Sequence, residues 1–172
     1  LLSKSFNKNA IYLTHENWLF FGCFKGVHYF DPKTIKINSE TPKVYFSDFK
    51  LSNKSVEPNV QNSPLQKTIG ETSKIELKHD QSLFTVDFFG LNYTQTKNIE
   101  YAYYLDGFES DWNYVGKTRN ATYTNIPPGF YKFKVKASNS EGVWSAIPSV
   151  LEIKILPPWW KTNIARMMFL LI

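Results

Sequence analysis

A chain of 172 residues, 42% hydrophobic and 20% charged, is long enough to bury a core, and this composition excludes a disordered or a membrane-embedded protein. Aromatic residues make up 17% of the sequence and favour strands, which shifts the expectation towards an all-β fold. The net charge of +5 comes from lysines spread along the chain, so we interpret them as a solvated face and not as a nucleic-acid site. The single cysteine, Cys23, excludes an internal disulfide.

The first 40 residues are expected to contain a β-hairpin. Two short apolar runs, 18–22 and 27–30, are separated by a turn at 23–26, and Asp31-Pro32 ends the second run. Two strands alone are marginal in water, so this hairpin must pair with another surface. The first residues lack a signal peptide and the chain does not begin with Met, so we interpret it as a fragment of a longer protein.

Residues 41–157 show the period-two pattern of strands. After an expected edge strand at 44–51 and a loop at 53–70, apolar and polar residues alternate at 75–77, 84–88, 99–105, 131–137 and 151–155. Each segment therefore has one buried and one wet face, as an antiparallel sheet needs. Turn-forming residues separate the segments at 79–81, 106–107, 127–129 and 139–142. About seven strands at this spacing predict an all-β fold, an antiparallel β-sandwich of immunoglobulin or fibronectin type.

The C-terminal residues differ in composition. Pro157, Pro158, Trp159 and Trp160 precede an apolar run at 164–172. A spanning helix needs about 20 apolar residues, about twice the length present, and paired Trp residues are typical of an interfacial aromatic belt. We interpret 158–172 as a linker and the start of a truncated transmembrane helix. The alternative is an amphipathic helix on a soluble core, which Arg166 favours because a charge inside the bilayer is costly.

No catalytic, cofactor-binding or metal site is predicted. The three histidines lie far apart in the sequence, at His15, His28 and His79. Cys23 has no base positioned to activate it. Acidic residues cluster at Asp106, Glu109 and Asp111, but their spacing is not that of a calcium loop, and we interpret the cluster as a solvated turn.

A set of aromatic residues near turns has two interpretations. Exposed Trp112, Tyr114 and Trp144 could stack on sugar rings or anchor a partner. In a sandwich such residues are mostly core, so a structural role is the preferred interpretation for these three and for Tyr123. Two alternative functions remain open: a carbohydrate-binding accessory module of a secreted enzyme, and a structural dimerisation module.

Several spaced motifs lie within residues 42–162 and include Tyr101, Tyr103, Gly107, Trp112, Tyr123, Pro128, Gly129, Tyr131, Gly142 and Trp144. Together they resemble the Y_Y_Y (three-tyrosine) domain of Bacteroidetes hybrid two-component sensor histidine kinases. The stretch 156–162 resembles the usual exit from this domain into the membrane helix. Residues 18–32 are similar to the last repeat of the two-propeller sensors that precede such domains.

The resemblance implies a periplasmic part of an inner-membrane protein. It implies that this module relays glycan binding by upstream propellers to a transmembrane helix and a cytoplasmic histidine kinase, so the fragment itself is not an enzyme. Its implied partners are the propellers of the same chain, a second copy in a homodimer and the membrane, with no cofactor and no nucleic acid. The implied divisions are 1–40 as the remnant of the last blade, 41–157 as the sandwich, and 158–172 as described above.

One local motif has a structural meaning of its own. Pro128-Gly129 followed by Tyr131 resembles the tyrosine corner of fibronectin-like sandwiches, in which the phenol caps a nearby backbone group. We therefore expect the Tyr131 hydroxyl to make a buried hydrogen bond.

Overall fold

The computed structural model describes residues 6–35, 38–92, 98–158 and 160. The chain divides into two compact units, Leu1–Ser39 and Glu40–Ile172. The predicted membrane segment, together with Trp159, lies outside the described residues. Within the described ranges, no helix is both long enough and apolar enough to cross a bilayer.

The first unit contains an antiparallel sheet in the order β1-β2-β3. Its strands are β1 (Phe6–Leu13), β2 (Leu19–Cys23) and β3 (Gly26–Phe30), and a short 3-10 turn follows at Pro32–Thr34. The predicted hairpin is β2-β3, and β1 is the surface with which it pairs. The prediction that Cys23 lies in the turn is wrong, because Cys23 is the last residue of β2. It is buried, and its Sγ donates to the Gly26 carbonyl at 3.2 Å. Assignment of this sheet to a propeller blade stays a prediction.

The second unit is the predicted β-sandwich. Over its described residues it has nine strands: β4 (Lys43–Leu51), β5 (Lys54–Ser55), β6 (Lys74–Leu77), β7 (Phe84–Leu91), β8 (Glu100–Asp106), β9 (Asn113–Gly116), β10 (Asn120–Tyr123), β11 (Gly129–Ser138) and β12 (Ser149–Ile155). They form a four-stranded sheet, β10-β7-β4-β5, and a five-stranded sheet, β6-β12-β11-β8-β9. Every pair is antiparallel except β6 and β12, which run parallel.

The core lies between these two sheets because the apolar residues of each strand alternate with polar ones. Along β11, for example, Phe133 and Val135 are buried while Lys132 is exposed. The most deeply buried side chains include Phe49, Phe84, Val86 and Phe88 from the four-stranded sheet, and Tyr101, Leu105, Phe133, Val135, Leu151 and Ile153 from the five-stranded sheet.

The chain enters and leaves the sandwich at opposite ends. At the entry end, the Asn139 amide donates to the Glu40 carbonyl at 3.1 Å, and the Ser149 hydroxyl donates to the Val44 carbonyl at 2.6 Å. Glu40 precedes β4, and Val44 lies near its start. Asn139 follows β11, and Ser149 is the first residue of β12. At the exit end, Ile155 closes β12 opposite Gly129, the first residue of β11. The length of the sheet therefore separates the two attachment points.

Candidate functional site at the exit end of the sandwich

A tyrosine corner begins β11 at the exit end. The Tyr131 hydroxyl donates to the Pro127 carbonyl at 2.9 Å, four residues upstream, which is the geometry expected from the sequence motif. The Tyr131 side chain is buried, and this burial raises the pKa of its phenol. The bond holds the segment between β10 and β11, including the exposed Pro128, against the first residues of β11.

Two glycines leave room for the Tyr131 ring. A Cβ on Gly129 would lie 3.0 Å from the Tyr131 hydroxyl oxygen. A Cβ on Gly107 would lie 3.1 Å from Tyr131 Cδ1 and 3.1 Å from the Phe130 carbonyl oxygen, and Gly107 also has φ +95°. Gly107 and Gly129, both singled out in the sequence, therefore form one packing unit with Tyr131.

Replacing Tyr131 with Phe should lower the free energy of unfolding by about 1 kcal/mol, because the hydrogen bond from the buried tyrosine to the Pro127 carbonyl is lost. Urea denaturation measures the difference. Tyr45→Phe is the matched control, since Tyr45 is exposed on the outer face of the other sheet. A Tyr131→Phe midpoint equal to that of the native chain would contradict a stabilising corner bond.

Glu109 joins three strands beside the corner. Its Oε2 accepts from the Leu105 backbone N–H at 2.6 Å and from the Tyr123 hydroxyl at 3.1 Å, while its Oε1 accepts from the Asn113 amide at 2.7 Å. The carboxylate thus connects the end of β8 to β9 and β10. The interpretation of this segment as a merely solvated turn is wrong for Glu109.

The two neighbouring acidic residues have smaller roles. Asp106 forms an ion pair with Lys134 at 2.8 Å, and the hydrogen bond from Lys134 lowers the pKa of Asp106. Asp111 accepts from the backbone N–H of Trp112 at 2.7 Å. No group of three His, Cys, Asp or Glu side chains in the described part of the chain is arranged to hold a metal ion.

The tyrosines of the motif lie inside the sandwich. The Tyr101 hydroxyl accepts from the Gly90 backbone N–H at 2.9 Å, which ties the five-stranded sheet to the four-stranded one. The rings of Tyr103 and Tyr123 meet edge to face at 6.1 Å. Burial, followed by the Glu109 carboxylate, raises the pKa of both Tyr103 and Tyr123, and the rise is much the larger for Tyr123.

The stability of the sandwich should fall as the pH rises above about 10. The unfolded chain loses the Tyr123 proton near the ordinary pKa of 10.0, whereas the folded state retains it, so above that pH the folded state binds more protons. One such group contributes a slope of about 1.4 kcal/mol per pH unit. Tyr123→Phe should flatten the slope measured by urea denaturation between neutral and alkaline pH. An unchanged slope, or an equal effect of Tyr45→Phe, would contradict the assignment.

The chain that leaves the sandwich is held against β6. The Leu156 backbone N–H donates to the Leu77 carbonyl at 2.8 Å, which continues the β6–β12 pairing by one residue. Pro157 is exposed and Pro158 is buried. The Trp160 ring then meets His79 edge to face at 5.2 Å. Of the predicted membrane-proximal residues, these three therefore have defined positions at the exit end.

The three residues proposed as a ligand platform come together on the outer face of the five-stranded sheet. The Lys136 ammonium lies 4.2 Å, 5.1 Å and 5.4 Å from the ring centroids of Trp112, Tyr114 and Trp144. The Tyr114 and Trp144 rings are nearly perpendicular, at 86°, and Gly142 turns the chain that carries Trp144 with φ +78°. Lys136 therefore fills the space between the rings, which was not predicted, and a role in ligand binding stays a prediction.

Comparison with known proteins matches residues 92–156 to the Y_Y_Y domain family. Histidine kinase P4 of Formosa agariphila is 32% identical over 162 residues, which is 94% of this chain and 12% of the kinase. The extracellular domain of BT3049 from B. thetaiotaomicron, described as a hybrid two component system, is 28% identical with a TM-score of 0.63 over 89% of this chain and 20% of that one. The corresponding domain of BT4673 from the same organism is 25% identical, with a TM-score of 0.62 over 85% and 19% of the two chains.

Proposed function

We propose that this chain, whose residues 92–156 match the Y_Y_Y domain family, is the membrane-proximal module of a two-component sensor. In this proposal it lies in the periplasm and belongs to an inner-membrane protein. Upstream propellers bind a glycan, the sandwich carries the signal to a transmembrane helix, and a cytoplasmic histidine kinase responds. The similarity to extracellular domains of such systems and to a histidine kinase supports this assignment.

The observation that carries the proposal is the separation of the two attachment points. The chain enters beside Asn139 and Ser149 and leaves beside Gly129 and Leu77, at the other end of the same sheet. A core packed at close to crystal density transmits displacement instead of absorbing it. A movement applied at the entry end should therefore reach the exit end as a rigid-body movement.

The exit is also suited to stiff coupling. Two successive prolines, Pro157 and Pro158, restrict the backbone, and Pro158 is buried. The Trp160–His79 contact fixes the chain again just beyond them. A rotation of the sandwich is therefore not lost in a flexible linker before residue 160.

Inserting Gly-Ser-Gly-Ser after Leu156 in the full-length protein should abolish the ligand-dependent change in kinase output, because the insert replaces a stiff connection with a flexible one. A transcriptional reporter or phosphate transfer measured with and without ligand gives the readout. The matched control places the same four residues after Asn59, in an exposed loop that does not carry the chain out of the sandwich. Normal signalling from the insertion after Leu156 would overturn the relay.

Signalling of this kind requires two states that differ in ligand affinity, and a homodimer supplies them through a change in the arrangement of two protomers. We include this dimer in the proposal. Chemical cross-linking of the full-length protein in its membrane tests it, and exclusively monomeric protein with intact signalling would overturn it.

The aromatic cluster around Lys136 supports a second candidate, a carbohydrate-binding module. Tyr114 is exposed and lies beside Trp112 and Trp144. Calorimetry with neutral and acidic oligosaccharides tests this candidate, with Tyr114→Ala as the variant that should lose binding. This candidate is weaker than the relay, because the Lys136 ammonium already lies over the rings on which a sugar would stack.

A further inference from the structure

The exit end lies close to the place where the apolar C-terminal run begins. Trp160 is held on His79, and the run starts four residues later, at Ile164. Four residues span at most about 14 Å even when fully extended. If this run enters a membrane, as the proposed function requires, the exit end lies within about that distance of the bilayer interface.

Aromatic side chains are exposed at this end. Phe130 is 76% exposed, Phe108 is 50% exposed and Trp160 is 46% exposed. The backbones of Phe108 and Phe130 are close, because a Cβ on Gly107 would lie 3.1 Å from the Phe130 carbonyl oxygen. Phe and Trp side chains are the residues with which proteins bind the boundary between headgroups and acyl chains.

Most of the charged side chains around Phe130 are paired with a charge of opposite sign. Lys154 lies over the Phe130 ring at 5.8 Å and pairs with Glu76 at 2.7 Å, and Lys132 pairs with Glu152 at 3.8 Å. A cavity of about 390 Å³ beside Phe130 is lined by groups of both signs, among them Lys74, Asp106, Lys132 and Glu152. Such a surface suits a headgroup that carries both signs. Because three of the lysines are paired with carboxylates, little free positive charge is left to attract anionic lipid.

We propose that the exit end is a lipid-contacting surface, in which Phe108 and Phe130 enter the headgroup region and the adjoining cavity takes a zwitterionic headgroup such as phosphatidylethanolamine. This inference rests on the proposed membrane-proximal position. It adds a second contact with the membrane, made by the folded sandwich in addition to the C-terminal run. Two contacts would set the tilt of the sandwich relative to the bilayer.

The test introduces a fluorescent reporter at the exit end. The full-length protein is reconstituted in phosphatidylethanolamine vesicles with brominated acyl chains, which quench tryptophan fluorescence only at short range. Phe130→Trp and Phe108→Trp each add one tryptophan at an exposed position, and the signal of the unsubstituted chain is subtracted. The matched control is Ile147→Trp, since Ile147 is 86% exposed and lies between β11 and β12 at the entry end.

The tryptophans introduced at positions 130 and 108 should lose most of their fluorescence, and the one at 147 should lose none. Equal quenching at 130 and 147, whether strong or absent, would overturn a contact specific to the exit end. Raising the salt concentration should leave the quenching unchanged. Quenching that requires phosphatidylglycerol and disappears in high salt would overturn the zwitterionic assignment.

The same variants separate this inference from the relay. If the tryptophan introduced at position 130 is not quenched while the insertion after Leu156 still abolishes signalling, the lipid contact is rejected and the relay is retained. Quenching at 130, with the insertion after Leu156 signalling normally, would reject the relay and leave the lipid contact standing.

Discussion

Glu109→Ala should lower the free energy of unfolding by about 3 kcal/mol, because it leaves several inward-facing donors without their acceptor. The Leu105 N–H, the Asn113 amide and the Tyr123 hydroxyl all donate to this carboxylate. Hydrogen bonds to a charged acceptor are stronger than neutral ones, and an unsatisfied buried donor carries its full desolvation penalty. Loss of the side chain also removes the connection between β8, β9 and β10.

Denaturant unfolding of three variants tests this prediction. Asp111→Ala is the matched control, since Asp111 is exposed, lies two residues away and accepts only from the adjacent Trp112 N–H among the contacts described. Its expected effect is about 0.5 kcal/mol or less. Glu109→Gln should fall between the two, because one oxygen can still accept while the amide nitrogen faces donors. A Glu109→Ala effect no larger than that of Asp111→Ala would contradict the structural role of Glu109.

Gly107→Ala should lower the free energy of unfolding by about 3 kcal/mol, through backbone strain and crowding together. With φ +95°, Gly107 has a conformation that other residues rarely adopt. Its new Cβ would also lie 3.1 Å from both the Phe130 carbonyl oxygen and Tyr131 Cδ1. The backbone atom cannot move without disturbing the start of β11, so the Tyr131 ring must shift and weaken its bond to Pro127.

A second glycine separates the two causes. Gly142 has φ +78° and nothing within 4 Å of the position that a Cβ would take. Gly142→Ala therefore reports the strain alone, which is about 1 kcal/mol. If Gly107→Ala is no more destabilising than Gly142→Ala in the same urea titration, the close packing around Tyr131 contributes nothing and the prediction is wrong.

The strands could be predicted from the sequence where one face of the strand is exposed to solvent and the other is buried. Strands β6, β7, β8, β11 and β12 appear in the sequence as alternating apolar and polar residues, because one side of each faces the core. Strands β9 and β10 are as long as β6 but show less contrast between their faces. No residue of β9 is buried, and the buried residues of β10, Ala121 and Tyr123, alternate with uncharged polar ones. In β1, the sequence FNKNAIYL lacks regular alternation, and its residues are mostly exposed in the first unit.

The parallel pairing of β6 with β12 was not predicted either. Alternation reports which face of a strand is buried but not which neighbour lies beside it or in which direction that neighbour runs. The register that sets Ile153 opposite Ile75 follows from the packing of the complete sheet.

The candidate site shows the same division between local and distant contacts. The Tyr131–Pro127 bond spans four residues, so a short motif could reveal it. The partners of Glu109 come from three different strands, and no spacing in the sequence marks Glu109 apart from its acidic neighbours. Trp112, Tyr114 and Trp144 could be grouped by residue type, but the place of Lys136 among them depends on the β8–β9 and β8–β11 registers.

The position of β12 also has a mechanical consequence. This strand carries the exit, and it is bonded on one side to β11 and on the other to β6. Tension between the entry and the exit acts along the strand, whereas its ladder hydrogen bonds lie across it. The two ladders are therefore loaded in shear, with all their bonds sharing the force, and do not open one bond at a time. A sandwich loaded in this direction therefore resists extension and transmits force from the entry end to the exit end before any strand separates.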